Sequence, residues 1–207
     1  GSLGLMYQWG RKDPFLGSSS ISQDIKAKST IKWPEAVPAY KSIDYTIAHP
    51  TTYIYVKDVM YAVLDWYYAD YAGNTDVTRW RSGAKTIYDP CPVGWRVPEG
   101  GSNGVWAKAL GTSKTINLLY DSVNCGFNLS GKLGEDHTIW YPSFYFYDFT
   151  HDPIYSVMHG HCWSASASSG DDSYGLYYID HGNSSSYIYP TNGYPRATSA
   201  AVRCVKE

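Results

Sequence analysis

No run of 18 apolar residues occurs in this 207-residue chain, so no segment is a candidate membrane-crossing helix. None of the four cysteines forms a Cys-x-x-Cys pair, which removes the spacing of a zinc ribbon or a thioredoxin-like site. The zinc-protease spelling His-Glu-x-x-His is missing as well. Charge of one sign is not concentrated anywhere: 17 Lys and Arg are scattered among 19 Asp and Glu, for a formal net charge of -2. Such a balance creates no field to gather nucleic acid or an anionic membrane, and neither is expected as a partner. The first ten residues lack a basic start followed by an apolar stretch, so they do not read as a signal peptide. Leu5-Met6-Tyr7-Gln8-Trp9-Gly10 already reads as structured sequence, and the chain is expected to be a segment of something longer.

What is present in excess is aromatic: 21 Tyr and 8 Trp interleaved with Ser, Gly and Asn, in a chain poor in Leu and Lys. That mixture favours strands and polar loops over helices. It is also the composition of adaptable binding loops, where rings give contact area at little side-chain entropy. A hydrophobic fraction of 43% against 17% charged residues permits a sizeable core, and no linker divides the chain, so one domain over 1–207 is expected.

Along the chain, Arg11 to Ser29 reads as a polar surface loop and Trp33 to Tyr40 as extended chain broken at Pro38. Thr51 to Val56 reads as a strand. Val59, Ala62, Val63 and Trp66 recur at helical spacing within Asp58 to Tyr71, with strand as the alternative. Tyr88 to Pro98 carries too many prolines for a regular element and should be a rigid crossing held by Cys91. Gly104 to Leu110 predicts a short helix with Asn103 as N-cap and Gly111 as its stop. After Cys125, aromatic stretches alternate with turn clusters at Gly131 to Asp136, Ser164 to Ser173, His181 to Ser186 and Thr191 to Pro195, which predicts an antiparallel meander. Disulfides are the leading reading of four cysteines without metal spacing, against four buried thiols, and three connectivities remain open.

Four stretches in this order carry a resemblance: Gly4-Leu5-Met6-Tyr7-Gln8-Trp9-Gly10-Arg11-Lys12-Asp13-Pro14-Phe15, Tyr88-Asp89-Pro90-Cys91-Pro92-Val93-Gly94-Trp95-Arg96-Val97-Pro98, Cys162-Trp163-Ser164-Ala165-Ser166 and Ala201-Val202-Arg203-Cys204-Val205. Together they resemble the Fibrobacter succinogenes major paralogous (FISUMP) domain found at the C-terminus of surface and fimbrillin-like proteins of Bacteroidetes. The resemblance implies an α+β, β-predominant, C-type lectin-like fold with short helices, a small twisted antiparallel sheet and long loops. It also implies an extracellular place at a bacterial outer surface or fimbria. A bridge between Cys91 and Cys204 is expected on the same ground, tying the chain end to the middle of the fold. Cys125 and Cys162 are then left to pair or stay reduced. Trp9, Trp95, Trp163, Val202 and Val205, inside these motifs, are the expected core.

Chemistry is sparse. On a strand, His159 and His161 of His159-Gly160-His161-Cys162 face one side and Cys162 the other, so ordinary strand residues are expected rather than a metal site. Glu135-Asp136 and Asp171-Asp172 read as solvated turns, because the Glu-Pro-Asn, Gln-Pro-Asp and Trp-Asn-Asp sets of calcium-dependent sugar-binding lectins are missing. Asn128-Leu129-Ser130 and Asn183-Ser184-Ser185 match the N-glycosylation spelling and read as polar loops. No catalytic residue, metal or cofactor is assigned. Trp140 to Tyr147 carries rings on both alternating faces, and Pro142 favours a sheet edge. It lies where C-type lectin-like folds carry a long binding loop, so Trp140 and Tyr141, with Asp171, Asp172 and Tyr174, are expected to line a contact surface; the alternative is that the rings fill the core. The function expected is an interaction or adhesion domain for host or microbial glycan or protein, or for fimbrial subunits. The alternatives are a structural assembly or capping module, and a cysteine-based enzyme using Cys125 or Cys162.

Overall fold

The computed structural model describes residues 5–16, 35–57, 63–67, 76–112, 115–116, 120–124, 126–130, 138–143, 146–150, 153–154, 158–181 and 186–207. The chain begins with β1 (Leu5–Gln8), β2 (Phe15–Leu16), β3 (Ala36–Pro38), the six-residue helix α1 (Ile43–Ala48) and β4 (Tyr53–Tyr55). The middle holds β5 (Trp95–Arg96), α2 (Val105–Leu110), β6 (Thr115–Ile116), β7 (Tyr120–Asp121), β8 (Gly126–Ser130), β9 (Thr138–Pro142), β10 (Phe146–Tyr147) and β11 (Pro153–Ile154). The last part holds β12 (His159–Ala167), β13 (Asp172–Asp180), β14 (Ser186–Pro195), β15 (Ser199–Val202) and β16 (Val205–Lys206). The described residues are β-predominant, as the aromatic and β-branched composition predicts.

Strands β12, β13 and β14 are antiparallel neighbours at the centre of a seven-stranded sheet ordered β2-β1-β15-β12-β13-β14-β6. Its one parallel contact joins β12 to β15, so the last part of the chain crosses back to sit between β1 and β12. A three-stranded sheet, β7-β8-β9, lies over one face. Between them Trp106 of α2, Phe127, Leu129 and Tyr141 pack on Cys162, Leu176, Tyr178 and Ile188. A second cluster gathers Trp9, Trp80, Val97, Trp163 and Ala200 around Cys91.

Among the described residues five buried tryptophans donate their indole N–H to an oxygen, four of them to a residue at least 35 positions away, which turns apolar burial into positional stapling. Trp9 reaches the Ser164 carbonyl at 2.8 Å, Trp66 the Trp9 carbonyl at 2.8 Å, Trp80 the Tyr88 carbonyl at 2.8 Å, Trp106 the Tyr141 hydroxyl at 2.8 Å and Trp163 the Tyr7 carbonyl at 2.9 Å. Between Trp9 and Trp66 lies a buried ionic group. Asp65 accepts from the guanidinium of Arg79 and lies 3.4 Å from that of Arg196, and all three side chains are fully buried. The Arg79 guanidinium sits 4.6 Å from the Trp66 ring and 5.1 Å from the Trp9 ring, and that of Arg196 is 4.9 Å from Trp9. Gly10, at φ +81°, makes this possible: a Cβ there would stand 2.7 Å from Cβ of Arg79.

The proline-rich crossing is organised by buried Asp89. Its carboxylate accepts from the amides of Cys91 at 2.8 Å and Val97 at 2.9 Å, and pairs with Lys85 at 3.1 Å. Cys91 is bonded to Cys204 across 113 residues, and β5 pairs with β16 beside the bridge. The pairing expected from the resemblance is therefore present.

Other expectations change. Arg11 does not belong to a surface loop: β1 and β2 form a hairpin, and Arg11 is buried because backbone carbonyls capture its guanidinium. Trp95 is 43% exposed, since β5 is a two-residue strand that turns this ring outward, whereas Trp9 and Trp163 are fully buried and Val202 and Val205 half-buried. The described part of the expected 58–71 helix, residues 63–67, is a bend that delivers Asp65 and Trp66 inward; the rest lies outside the described residues. The unexpected helix is α1, capped by Ser42, whose hydroxyl accepts the Tyr45 amide. Helix α2 appears as predicted, ending at Gly111, but its N-cap is Gly104 rather than Asn103, with no side-chain cap bond. Residues 191–195 continue β14 instead of turning, and β12 runs on to Ala167. Cys125, Glu135, Asp136 and Asn183 to Ser185 lie outside the described residues.

Two outcomes follow. Trp9→Ala is expected to destabilise by about 3–5 kcal/mol while Trp95→Ala stays within about 1 kcal/mol of the parent, measured by denaturant unfolding. Reducing the Cys91–Cys204 bridge should cost up to about 4.7 kcal/mol for a loop of this size, seen as a lowered melting temperature in reductant.

Candidate contact surface

Strand alternation sends His159, His161 and Trp163 to one face of β12, and Gly160, Cys162 and Ser164 to the other. Register carries the first face across the sheet: His161 stands opposite Tyr177, Tyr177 opposite Tyr189, and Ile179 opposite Tyr187. A continuous chain of ring contacts results. His181 lies 5.7 Å from Tyr187, Tyr187 6.2 Å from Tyr189, Tyr189 5.8 Å from Tyr177, and Tyr177 5.4 Å from Tyr194. His159 closes on Tyr177 at 5.9 Å and His161 on Tyr194 at 4.3 Å. The four tyrosines are half-buried, Tyr177 and Tyr194 packing in part against the buried clusters around Phe146 and Trp163. Tyr177 and Tyr194 share a side-chain hydrogen bond; burial raises both pKa values, and their hydroxyls stay protonated donors at neutral pH.

Under this belt the histidines are neutral. His161 is fully buried between Trp163, Tyr194 and Phe146, and burial drives its pKa down to about 3. Neither of its ring nitrogens has a hydrogen-bond partner among the described residues. Gly175 makes room for it: a Cβ there would stand 2.4 Å from His161 Nε2. His159, less buried, is lowered to about 4 by burial and by the neighbouring His181. Among the described residues no three His, Cys, Asp or Glu side chains converge as a metal site would require.

The residues expected from sequence to form one surface are not brought together. Tyr141 is only 5% exposed: its hydroxyl takes the Trp106 indole N–H, its ring meets Tyr178 at 5.6 Å, and Arg203 covers it at 4.6 Å. It belongs to the core, as the alternative reading had it. Trp140 is half-buried on β9, where its carbonyl accepts from Arg203 at 2.6 Å. Asp171 and Asp172 flank the β12–β13 turn. There Asp171 accepts the Leu64 amide, and the Asp172 carbonyl takes Arg196 at 2.9 Å, so both brace the turn against the buried ionic group. Tyr174 lies over Gly100 and Gly101. Tyr178, which touches Tyr141, is six residues along β13 from Asp172, about 20 Å at strand rise. The tyrosine belt was missed as a unit, although Tyr187-x-Tyr189 shows the alternation that would mark it.

Cys162 is a free, buried thiol, so the nested bridge to Cys125 is not formed: β12 turns this side chain into the packed layer beneath Tyr178. Burial pushes the thiol up to about 12, the opposite of what a nucleophilic cysteine needs. Two hydrolase-like spellings occur in described regions, Gly100-Gly101-Ser102-Asn103-Gly104 and Ser82-Gly83-Ala84-Lys85. Ser102 is an exposed turn residue ahead of α2, and Lys85 is spent on Asp89 and the Trp95 carbonyl, so neither has the geometry of an activated serine. No family model matches the chain, and no curated protein or solved structure matches it either.

The lowered histidines give a signed pH effect. An unfolded histidine titrates near 6.5, while folded His161 holds out to about 3, so the unfolded state binds more protons between these values. The stabilisation is complete above about pH 6.5 and is lost as pH falls from there towards 3. His161→Phe, which removes two unpartnered nitrogens, should be within about 1 kcal/mol of the parent at pH 7. It should also lose less stability than the parent between pH 7 and 5 in parallel melts.

Proposed function

We propose that this chain is an extracellular, non-catalytic interaction domain of C-type lectin-like type, placed at a bacterial outer surface or fimbria. It recognises glycan or protein ligands through the tyrosine belt of β13 and β14. The observation that carries this reading is the belt itself: four half-buried tyrosines in successive ring contact along β13 and β14 of the main sheet. Rigid rings of this kind lose little entropy on contact, offer an apolar face to stack on a sugar or side chain, and carry hydroxyls for polar partners. Neutral histidines beneath leave the surface without strong charge, which suits uncharged or weakly charged ligands.

Two further observations support the setting. The Cys91–Cys204 bridge suits an oxidising compartment. It also joins the two most distinctive of the four stretches that resemble the FISUMP domain, Asp89 to Pro98 and Val202 to Val205.

A glycan array, run beside pull-downs with fimbrial proteins, tests the reading. Tyr187→Ala and Tyr189→Ala should each weaken any ligand found by at least about tenfold, roughly 1.4 kcal/mol, while keeping a cooperative melt. Folded variants that bind as the parent does would place the contact surface elsewhere.

A further inference from the structure

A second recess has a different chemistry. A cleft of about 290 Å³ opens between α1 and the segment around Tyr88, walled by Ile43, Ile47, Trp66, Ile87 and Tyr88. Its volume is close to the ~300 Å³ lower end of small-molecule sites. Ile47 is 64% exposed and Ile87 75% exposed, so two branched apolar side chains stand in solvent at one opening. Scattered exposed isoleucines need no explanation, but two lining the same cleft form a rim that is apolar where a surface is ordinarily polar.

The cleft also reaches a buried cation. Arg11 lines it and is only 2% exposed. Its Nη1 donates to the Gln8 side-chain oxygen at 3.1 Å and the Thr52 carbonyl at 2.7 Å, and its Nη2 to the Pro50 carbonyl at 2.9 Å and the His49 carbonyl at 3.4 Å. All four acceptors are neutral. The Nε–H has no partner among the described residues, and no carboxylate there lies within 4.0 Å of the guanidinium. Burial lowers the Arg11 pKa to about 10 against the opposing attraction of the nearby Asp13 carboxylate, which leaves it charged at neutral pH. Lys12 and Asp13 line the same cleft, so two cations face one carboxylate and a single net positive charge remains. A buried guanidinium without a direct ion pair gains most from an anion that brings its own apolar body to exclude water.

We propose that this cleft binds a small carboxylate with a branched apolar body, the carboxylate directed to Arg11 and Lys12 and the body held among the isoleucines and Trp66. This chemistry has two sources, a free short branched acid or the carboxyl-terminal apolar residue of a partner protein. The site is separate from the tyrosine belt and stands or falls independently of it.

The test is a titration of the isotope-labelled full chain, following the Trp66 indole N–H by NMR, with 4-methylpentanoate, N-acetyl-leucine and the amide of each. Saturable shifts are expected with the acids and at least tenfold weaker binding with the amides. Ile87→Glu, at an exposed rim position that should not disturb folding, is expected to abolish the shift, and Lys12→Gln to weaken it. Binding of N-acetyl-leucine alone upholds the proposal with a protein terminus as the source; binding of 4-methylpentanoate alone upholds it with a free acid. Amides that bind as well as the acids, acids that never saturate, or a folded Ile87→Glu variant that binds like the parent would each overturn it.

Discussion

The fold turns on one buried carboxylate. Asp65 lies between the guanidinium groups of Arg79 and Arg196, and these three side chains come from segments separated by up to 131 residues. Two buried arginines against one aspartate leave a surplus of positive charge, and desolvation of that surplus is costly. The structure meets the cost with ring faces and carbonyls: Trp9 and Trp66 sandwich Arg79, the Trp9 carbonyl accepts from it at 3.4 Å, and the Ser173 hydroxyl and Asp172 carbonyl accept from the other two nitrogens of Arg196. Removing one charge would strand the others without solvent. These segments therefore have to arrive together or not at all.

From that centre the remaining geometry follows. Trp9 directly follows β1 and bonds to Ser164 of β12, which fixes where the N-terminal hairpin sits beside the long strands. Arg196 follows β14 and reaches back to the β12–β13 turn, so the far end of the meander is held by the same group. The Cys91–Cys204 bridge joins the same region, in a cluster that Trp9 shares with Trp80, Trp163 and Val97. Both anchors hold the end of the long strands near the β12–β13 turn, and the tyrosines of β13 and β14 extend from it half-buried.

How much of this is legible in the sequence depends on the distance over which each interaction acts. Local signals read through: the β-branched and aromatic run at 51–56 contains β4, the stop at Gly111 ends α2, and alternation separates His161 from Cys162. What fails is set by long-range pairing. Arg11 and Arg79 look like solvated surface charges until the carbonyls and rings that capture them are supplied from elsewhere. Trp95 sits inside a distinctive motif, yet motif membership says nothing of which way a two-residue strand points it. Tyr141 is buried for the same reason, because an indole N–H distant in sequence claims its hydroxyl, while half-buried Asp171 is held by the distant Leu64 amide.

The tyrosine belt and the Arg11 cleft, the two surfaces proposed for recognition, differ in physical character. On the belt, neutral His161 and the protonated hydroxyls of Tyr177 and Tyr194 leave stacking and neutral hydrogen bonds as the contacts there, which salt screens weakly. In the cleft, a cation held by neutral acceptors sits behind an apolar rim, so an anion there is strengthened by the exclusion of water. Belt binding should therefore be nearly indifferent to ionic strength, whereas carboxylate binding in the cleft should weaken with salt only as far as Lys12 and the open rim admit screening ions. Ionic strength thus separates the two surfaces on a single protein sample, because the physical origin of each affinity differs.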